Sequence, residues 1–441
     1  MKTVKFPKGF LWGAATSSHQ VEGGNFNNDW WEFEQIPGKI IDMTISGDAC
    51  DHYHRYKEDF KLLKDLGHNA HRLSIEWSRV EPAKGYFSQA EIAHYVEVVK
   101  ELKRLKMVPF VTLHHFSTPL WMARDGGWAN PECVERFVEF TRVIVSALKK
   151  DVTFWMTINE PMVYAFLSYM SGEYAPGVKN PIKGFRVASN MLRAHVMAYH
   201  AIKKIDPKSK VGFAKHMRIF APYRPDNKWD VRVAGNQHKG FNMDFIDALF
   251  TGETSGGVKV NPKDKKLTKG SCDFIGLNYY ARDSVKFSLL SPTTLFGKTV
   301  PPAPGTKTSH FDEGEYYPHG IYRLLSILSK YKVPLYVAEN GVATKYQESQ
   351  KDDAYRRLYM AAHIAEVGNA IADGIDIRGY LFWSSLDNFE WANGYSMRFG
   401  MVHVDFKTQK RTIKLSGKMF AQIAKKNALT PETLKKFGVK L

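Results

Sequence analysis

Two glutamates close two of the short apolar runs in the sequence. The run "FWMTINEP" leads to Glu160, and "PLYVAENG" leads to Glu339. Glycoside hydrolysis uses such a pair, in which one carboxylic acid protonates the leaving oxygen while the other carboxylate attacks the anomeric carbon. Paired carboxylates also serve aldolase-like and metal-dependent enzymes, so the pair by itself leaves these classes open.

Polar and aromatic side chains close other apolar runs, and their types suit a sugar. Flat indole rings stack on the apolar face of a pyranose, while amides and imidazoles hydrogen-bond its hydroxyls. Arg72 lies within the run "AHRLSIEW", where burial demands an anionic partner. The sequence therefore predicts a carbohydrate site around the two glutamates, with contributions from His115, Asn159, Asn278, Tyr280, Trp383, Glu390 and Trp391.

The elements that position these side chains follow from the hydrophobic pattern. Eight apolar runs are each followed by a longer segment of helical period, as in strand–helix units on a parallel sheet. This α/β pattern, without a low-complexity linker, predicts a single (β/α)8 TIM barrel over residues 1–441, with extended loops at its C-terminal face, where such barrels carry their sites. The predicted strands are 10–15, 70–77, 108–116, 154–161, 210–216, 274–280, 334–341 and 379–388.

Helices are predicted between the strands from their amphipathic period. Gly67 and Gly374 stand where a helix end needs a left-handed residue, and Pro131 stands where a helix can start. The clearest helical stretches are 56–67, 90–106, 131–150 and 352–374.

A Pro/Gly-rich insertion, residues 281–319, follows the sixth predicted strand. Loops of this length usually carry function, so we expect it at the mouth of the barrel, beside the part of the site that receives the aglycone. Tyr164, Phe166 and Tyr174 are further candidates for that wall.

The amino-acid composition indicates which kinds of partner the protein is expected to bind. The chain has 62 Lys and Arg against 45 Asp and Glu, a formal net charge of +17. This excess is diffuse and lacks interleaved aromatics, so we interpret it as a solvated surface and expect no nucleic-acid partner.

Cys50, Cys133 and Cys272 are widely spaced, which fits a reducing, cytoplasmic setting. We expect no signal peptide and no membrane span, since no run of about 18 apolar residues occurs.

Motifs for cofactors and metals do not occur in the sequence. There is no GxxxxGK[ST] loop, no HExxH, and no GxGxxG after a strand. His52 and His54 stand two residues apart, a spacing that does not place two side chains on one helix face. We therefore expect neither a cofactor nor a metal.

Several blocks of the sequence resemble a known family when taken together and in order. They are "FPKGFLWGAATSSHQVEGG", "HRLSIEWSR", "TINEP", "LNYY", "YVAENG" and "DNFEWANGYSMRFG", and they run from residue 6 to about 411. This set is similar to the signature blocks of glycoside hydrolase family 1, the β-glucosidase and β-galactosidase family. The resemblance implies a TIM barrel and a retaining β-glycosidase that works by double displacement and needs no cofactor.

The resemblance also implies a role for each matching residue. Glu160 would be the general acid/base and Glu339 the nucleophile. Trp383 would be the stacking platform for the sugar. The residues implied to hydrogen-bond the glycone are Gln20, His115, Asn159, Glu390 and Trp391, and those implied to surround the nucleophile are Arg72, Asn278 and Tyr280.

These roles carry electrostatic expectations. A guanidinium from Arg72 and a hydroxyl from Tyr280 would favour the ionised form of Glu339, as a nucleophile requires. The negative charge of Glu339 would in turn raise the pKa of Glu160, which then keeps a proton near neutral pH.

The sequence departs from the family pattern at a few positions. Ala338 stands where a Thr is usual, Phe116 where an indole is common, and Ser385 where Leu is usual. Members that act on 6-phosphorylated sugars replace the Glu-Trp pair that is kept here as Glu390 and Trp391. A carboxylate at that position would repel phosphate, so unphosphorylated glycosides are favoured.

The leading interpretation is a hydrolase of β-glucosidase type that removes terminal β-linked sugars from aryl glycosides or short oligosaccharides. A barrel that binds sugar without hydrolysing it is an alternative, because a fold and its pocket can outlive the chemistry. The choice among glucose, galactose, fucose and mannose stays open, as do transfer to alcohols and the oligomeric state.

Overall fold

The computed structural model describes residues 2–310, 313–345 and 353–441. Eight parallel strands form a closed barrel: each pairs with the next, and the seventh and eighth complete the ring through the sixth and the first. They are β1 (Leu11–Ala15), β2 (Ala70–Ser74), β3 (Val108–His114), β4 (Phe154–Asn159), β5 (Lys210–Pro222), β6 (Phe274–Phe287), β7 (Leu335–Glu339) and β8 (Ile377–Trp383). The predicted (β/α)8 barrel is confirmed.

Two strands run well past their predicted ends. β5 and β6 stay paired beyond the barrel, up to the partners Pro222 and Val285. The expectation of a loop throughout 281–319 is therefore wrong for 281–287, which belong to β6. It is also wrong for the short strands Gly297–Val300, Thr308–His310 and Glu313–Glu315 and for His319, which starts a helix, while residues 311 and 312 lie outside the described residues. The alternation of apolar and charged residues in "ARDSVKF" is that of a strand with one exposed face, and the continuous-run criterion used for the barrel strands missed it. We call the paired segments 217–222 and 281–287 the strand extension.

Helices follow the strands and cover the barrel. Gly67 (φ +83°) and Gly374 (φ +87°) are left-handed just beyond two helix ends, as predicted. Pro131 lies just before its helix, which begins at Cys133. The helices that are numbered here are α1 (His52–Asp65), α2 (Gln89–Arg104), α3 (Cys133–Leu148), α4 (Pro181–Ile205), α5 (Asp244–Thr251), α6 (His319–Ser329), α7 (Ala354–Ala372) and α8 (Leu415–Lys426).

Shorter elements connect these parts. Among the described residues, no helix is both long enough and apolar enough to cross a bilayer. The remaining helical segments are Ser18–Val21, Asp29–Glu34, Trp77–Val80, Leu120–Arg124, Gly127–Ala129, Pro161–Tyr164, Ala165–Ser171, Lys228–Gln237, His238–Met243, Pro262–Asp264, Lys265–Thr268, Pro292–Thr294, Trp391–Asn393 and Pro431–Lys436. The remaining strands are Val4–Lys5, Gly297–Val300, Thr308–His310, Glu313–Glu315, Thr344–Lys345, Met397–Arg398, Val402–Val404, Arg411–Ile413 and Ala428–Leu429.

The interior of the barrel is filled by side chains from several strands. Phe110 stacks on Phe154 with ring centroids 4.5 Å apart, and the Phe274 and Tyr336 rings meet Phe110 edge-on. Alternate residues of the same strands, such as Val111 and Trp155, belong instead to the larger core under the helices. This packed interior fixes the strand ends, and with them the side chains at the mouth.

Candidate active site

A cavity of about 1130 Å³ opens at the carboxyl ends of the barrel strands. Of the predicted site residues, eight line it directly, while Gln20, Arg72 and Asn278 are fully buried behind them. The structure thus brings the predicted set together at one mouth. The eight lining residues are His115, Asn159, Glu160, Tyr280, Glu339, Trp383, Glu390 and Trp391.

Glu339 is the last residue of β7 and is bonded on both carboxylate oxygens. The Arg72 guanidinium, from β2, donates to Oε1, and the Tyr280 hydroxyl, from β6, donates to Oε2 at 2.6 Å. Arg72 is itself aimed by Thr112, whose hydroxyl oxygen accepts from its Nε at 3.1 Å. The predicted anionic partner of Arg72 is Glu339.

Glu160 follows the last residue of β4 and adopts a left-handed backbone conformation, with φ of +46°. Such a conformation costs a non-glycine residue about 1 kcal/mol. Its Oε1 accepts a hydrogen bond from Asn278 Nδ2 at 2.7 Å and lies 3.3 Å from the Nδ1 atom of His216. The strained turn directs the carboxyl into the cavity.

A chain of hydrogen bonds links the two glutamates. Arg72, which holds Glu339, also donates to Asn159 Oδ1 at 2.7 Å. Asn278, which holds Glu160, donates to the same oxygen at 3.2 Å. The Asn159 amide in turn donates to His115 Nε2 at 3.1 Å. The two carboxyl groups are therefore fixed relative to one another by Arg72, Asn159 and Asn278, which come from the three strands β2, β4 and β6.

The other end of the cavity floor carries the residues implied to hold the glycone. Gln20 Nε2 donates to the Phe389 carbonyl at 2.9 Å and to Glu390 Oε2 at 3.3 Å, so it fixes Glu390 from behind. The Trp391 ring lies against His115, with centroids 6.1 Å apart, and Trp383 lies on the other flank at 5.8 Å. Two indoles, one imidazole and one carboxylate thus face the same space.

Burial and mutual repulsion dominate the electrostatics of the acidic groups. Burial raises the pKa of Glu339 to about 7, opposed by Arg72 and Tyr280 and assisted by the Glu160 carboxylate. Burial and the charge of Glu339 raise the pKa of Glu390 to about 8. A site this dry holds fewer negative charges than its three carboxyl groups would carry in water.

The pKa of Glu160 departs from the expectation. Burial opposes its ionisation, but the neighbouring His216 imidazole, the Asn278 hydrogen bond and Arg72 together lower the pKa below the ordinary value. The expected increase from Glu339 took no account of His216. Burial lowers the pKa of His216 itself.

Lys215 and His216 were not among the site residues predicted from the sequence. The predicted fifth strand ends in Lys215 and His216, so the strand-end rule that pointed to Glu160 and Glu339 points to this pair as well. Lys215 is fully buried, and burial lowers its pKa to about 7. Its Nζ donates to the His216 carbonyl at 2.6 Å.

The outer part of the cavity is lined by loop and strand-extension residues. Phe166 and Tyr174 line it as predicted, whereas Tyr164 is fully buried and packs on Phe116 with centroids 6.2 Å apart. From the predicted insertion, Thr293, Thr294, Leu295 and Thr299 reach the cavity. Phe116, the first departure from the family pattern, lines it too, while Ala338 is buried in the barrel interior.

No cluster of three or more metal-ligating side chains occurs in the described ranges 2–310, 313–345 and 353–441. His52 Nδ1 donates to the Asp59 carboxylate at 2.8 Å, which gives this histidine a structural partner.

Comparison with known proteins agrees with this geometry. Residues 2–429 match "Glycosyl hydrolase family 1". The chain is 35% identical over 452 residues to "Beta-glucosidase A" of Thermotoga maritima, covering 97% of this chain and 100% of the relative. It is 35% identical over 449 residues to "1,4-beta-D-glucan glucohydrolase" of Thermotoga neapolitana, covering 97% and 99%.

Solved structures give the same result. A beta-glycosidase from Pyrococcus horikoshii superposes with a TM-score of 0.90 at 36% identity, covering 99% of each chain. The Thermotoga maritima beta-glucosidase in complex with glucoimidazole superposes with a TM-score of 0.90 at 33% identity, covering 97% of this chain and 100% of the other. The chain therefore belongs to glycosyl hydrolase family 1 and is a retaining β-glycosidase.

Proposed function

We propose that this hydrolase removes terminal, unphosphorylated β-linked sugars from aryl glycosides or short oligosaccharides, with glucose as the first glycone to test. The observation that carries the proposal is the pair Glu160 and Glu339, buried at one cavity and tied together through Arg72, Asn159 and Asn278. The relatives named β-glucosidase support the choice of glucose.

Glu339 is proposed as the nucleophile because it contacts a permanent cation. The Arg72 guanidinium contacts Glu339 directly, and this contact favours the carboxylate form of Glu339. In the first step this carboxylate attacks the anomeric carbon, and the bond from that carbon to the leaving oxygen breaks.

Glu160 is proposed as the acid that delivers a proton to the leaving oxygen. Burial keeps the His216 ring neutral near pH 7, so the lowering that a charged imidazole exerts on the pKa of Glu160 is then absent. We place the proton that the two glutamates share on Glu160, because Arg72 contacts the Glu339 carboxylate directly and acts on Glu160 only from a greater distance. With Glu160 neutral, its contribution to the raised pKa of Glu339 disappears as well.

The second step reverses these roles. Once Glu339 is esterified its charge is gone. Glu160, now ionised, takes a proton from water as the water oxygen attacks the anomeric carbon, and the bond from that carbon to Glu339 breaks, which returns Glu339 as a carboxylate. Two inversions at that carbon give net retention. Glycone hydroxyls would meet Glu390, His115 and Trp391, and the sugar face would meet Trp383.

Trapping of the intermediate tests the proposal. A 2-deoxy-2-fluoro-β-glucoside with a good leaving group should label Glu339, as read by peptide mass spectrometry, and proton NMR should show the β-anomer as the first product. Labelling at another residue, or an α-anomer first, would contradict the assignment. Sugar binding by a folded protein without turnover would favour the alternative of a binding barrel.

We further propose a cytoplasmic protein that acts on small molecules and not on nucleic acid. Cys50, Cys133 and Cys272 are buried free thiols, which supports a reducing compartment. Salt-sensitive binding to oligonucleotides would contradict the second part.

A further inference from the structure

His216 and Asn278 are register partners on the neighbouring strands β5 and β6. Side chains at such paired positions on one side of a sheet lie close together. Here both meet the same atom, because Asn278 Nδ2 lies 2.7 Å and His216 Nδ1 lies 3.3 Å from Glu160 Oε1. Oε1 thus contacts both of these side chains, and this contact distinguishes it from the second carboxyl oxygen, Oε2.

The His216 ring is held in place on several sides. It stacks on Tyr280 with centroids 5.7 Å apart and planes at 19°, and it meets the edge of Phe241 at 5.9 Å. Its own carbonyl accepts from the buried Lys215. Since Tyr280 also donates to Glu339, the imidazole packs between the groups that hold the two glutamates.

The charged groups around the ring leave it neutral at working pH. Glu160, just after β4, faces the ring directly. Lys215 and Arg218 flank it on β5, and Asp283 and Tyr280 face it from β6. Burial and the two cations lower the pKa of the imidazole, against the pull of Glu160. A neutral ring can donate from Nδ1 while its other nitrogen carries no hydrogen.

We propose that His216 is a positioning residue that, together with Asn278, occupies Oε1 of Glu160 with donated hydrogen bonds and so makes Oε2 the oxygen that gives and takes the proton. In the first step the Oε2–H bond breaks and the proton passes to the leaving oxygen. In the second, Oε2 takes a proton from water. His216 keeps its own hydrogen on Nδ1 throughout. This inference rests on the proposed function of Glu160.

Two substitutions of His216 distinguish the loss of its hydrogen bond from a change in its side-chain volume. In H216F the ring remains but donates nothing, whereas in H216N the amide nitrogen can take the place of Nδ1. We expect kcat/KM for an alkyl or 4-nitrophenyl β-glucoside to fall about 30-fold in H216F and less than threefold in H216N. For a dinitrophenyl glucoside, whose departure needs no proton, kcat/KM should stay within about threefold of wild type in both.

The pH profile and azide give independent readouts. Loss of a donor to the carboxylate should move the basic limb of kcat/KM in H216F upward by about half a pH unit, with no movement in H216N. Azide, which attacks without a general base, should restore kcat of H216F on the dinitrophenyl glucoside. K61M, which removes an exposed cation of α1 that does not line the cavity, is the control and should leave both limbs in place.

Each outcome is decisive. Equal losses in H216F and H216N, or equal losses for good and poor leaving groups, would overturn the positioning role while leaving the hydrolase intact. If H216F does not fold, as judged by its thermal transition, H216L replaces it in the same comparison. If wild type fails to hydrolyse any glycoside and cannot be labelled at Glu339, the proposed function itself fails, and this inference falls with it.

Discussion

The inner and outer parts of the cavity are built on different principles. At the strand ends, Arg72, Asn159 and Asn278 connect the two glutamates through hydrogen bonds of 2.7 to 3.2 Å. The outer part is lined largely by apolar side chains from loops, helices and the strand extension, including Phe166, Phe185, Phe220, Phe241 and Leu295. Directional bonds fix atoms for chemistry, whereas apolar contact selects shape and tolerates change. Substitutions should therefore be costly inside and mild outside.

The largest expected effect is at the two glutamates. E339G should lower kcat by about 10⁴-fold or more, because no covalent intermediate can form. With azide, E339G should yield the α-glycosyl azide and E160A the β-glycosyl azide, as read by NMR, since the first lacks the nucleophile and the second the base. E97Q, at an exposed glutamate on α2, is the control. The same azide anomer from both variants would break the assignment.

The second-largest effect is expected from removal of the buried Arg72 guanidinium. R72M leaves Glu339 without its compensating charge, so the pKa of Glu339 should rise and the acid limb of kcat/KM should move to higher pH. We expect kcat/KM at pH 7 to fall about 10²-fold and the free energy of unfolding to fall by about 3 kcal/mol. An acid limb that stays in place would show that Arg72 acts only through packing.

A substitution of Glu390, at the glycone end of the cavity, should affect folding stability and activity in different directions. The pKa of Glu390 lies near 8, above that of an unfolded glutamate, so its contribution to stability is full below about pH 4.5 and is lost as pH rises toward 8. E390Q should therefore raise the free energy of unfolding by about 2 kcal/mol at pH 8 and change it little at pH 4.5. It should also lower kcat/KM about 10²-fold, because the amide NH2 of glutamine donates where one of the two carboxyl oxygens of Glu390 can accept from a glycone hydroxyl. Denaturant titrations at both pH values provide the check, and an equal change at both would contradict the raised pKa.

The smallest effect is expected in the outer part. F166A removes a phenyl ring from the wall and should raise KM for aryl and long-chain glycosides about tenfold, while KM for a methyl glycoside stays within twofold. F26A, at an exposed phenylalanine packed on Trp31, is the matched control. Equal effects of F166A on large and small aglycones would mean that the outer wall also shapes the inner site.

The sequence predicted the inner part better than the outer part. The eight barrel strands were found because buried parallel strands are continuous apolar runs, and their register then brought Glu160 and Glu339 to one mouth. The strand extension was missed because residues such as Arg282 and Lys286 alternate with apolar ones. The partners of the carboxyl groups also required coordinates, since the direction of the Glu160 pKa depends on His216, a neighbour distant in sequence.

The left-handed backbone at Glu160 has a consequence for the evolution of this chain. Glycine adopts this conformation without strain, and asparagine and aspartate tolerate it better than most other residues. A Glu160→Gly substitution would relieve this strain and would at the same time remove the carboxyl group that is proposed as the acid. Selection for folding stability and selection for the proposed activity would therefore act in opposite directions at residue 160.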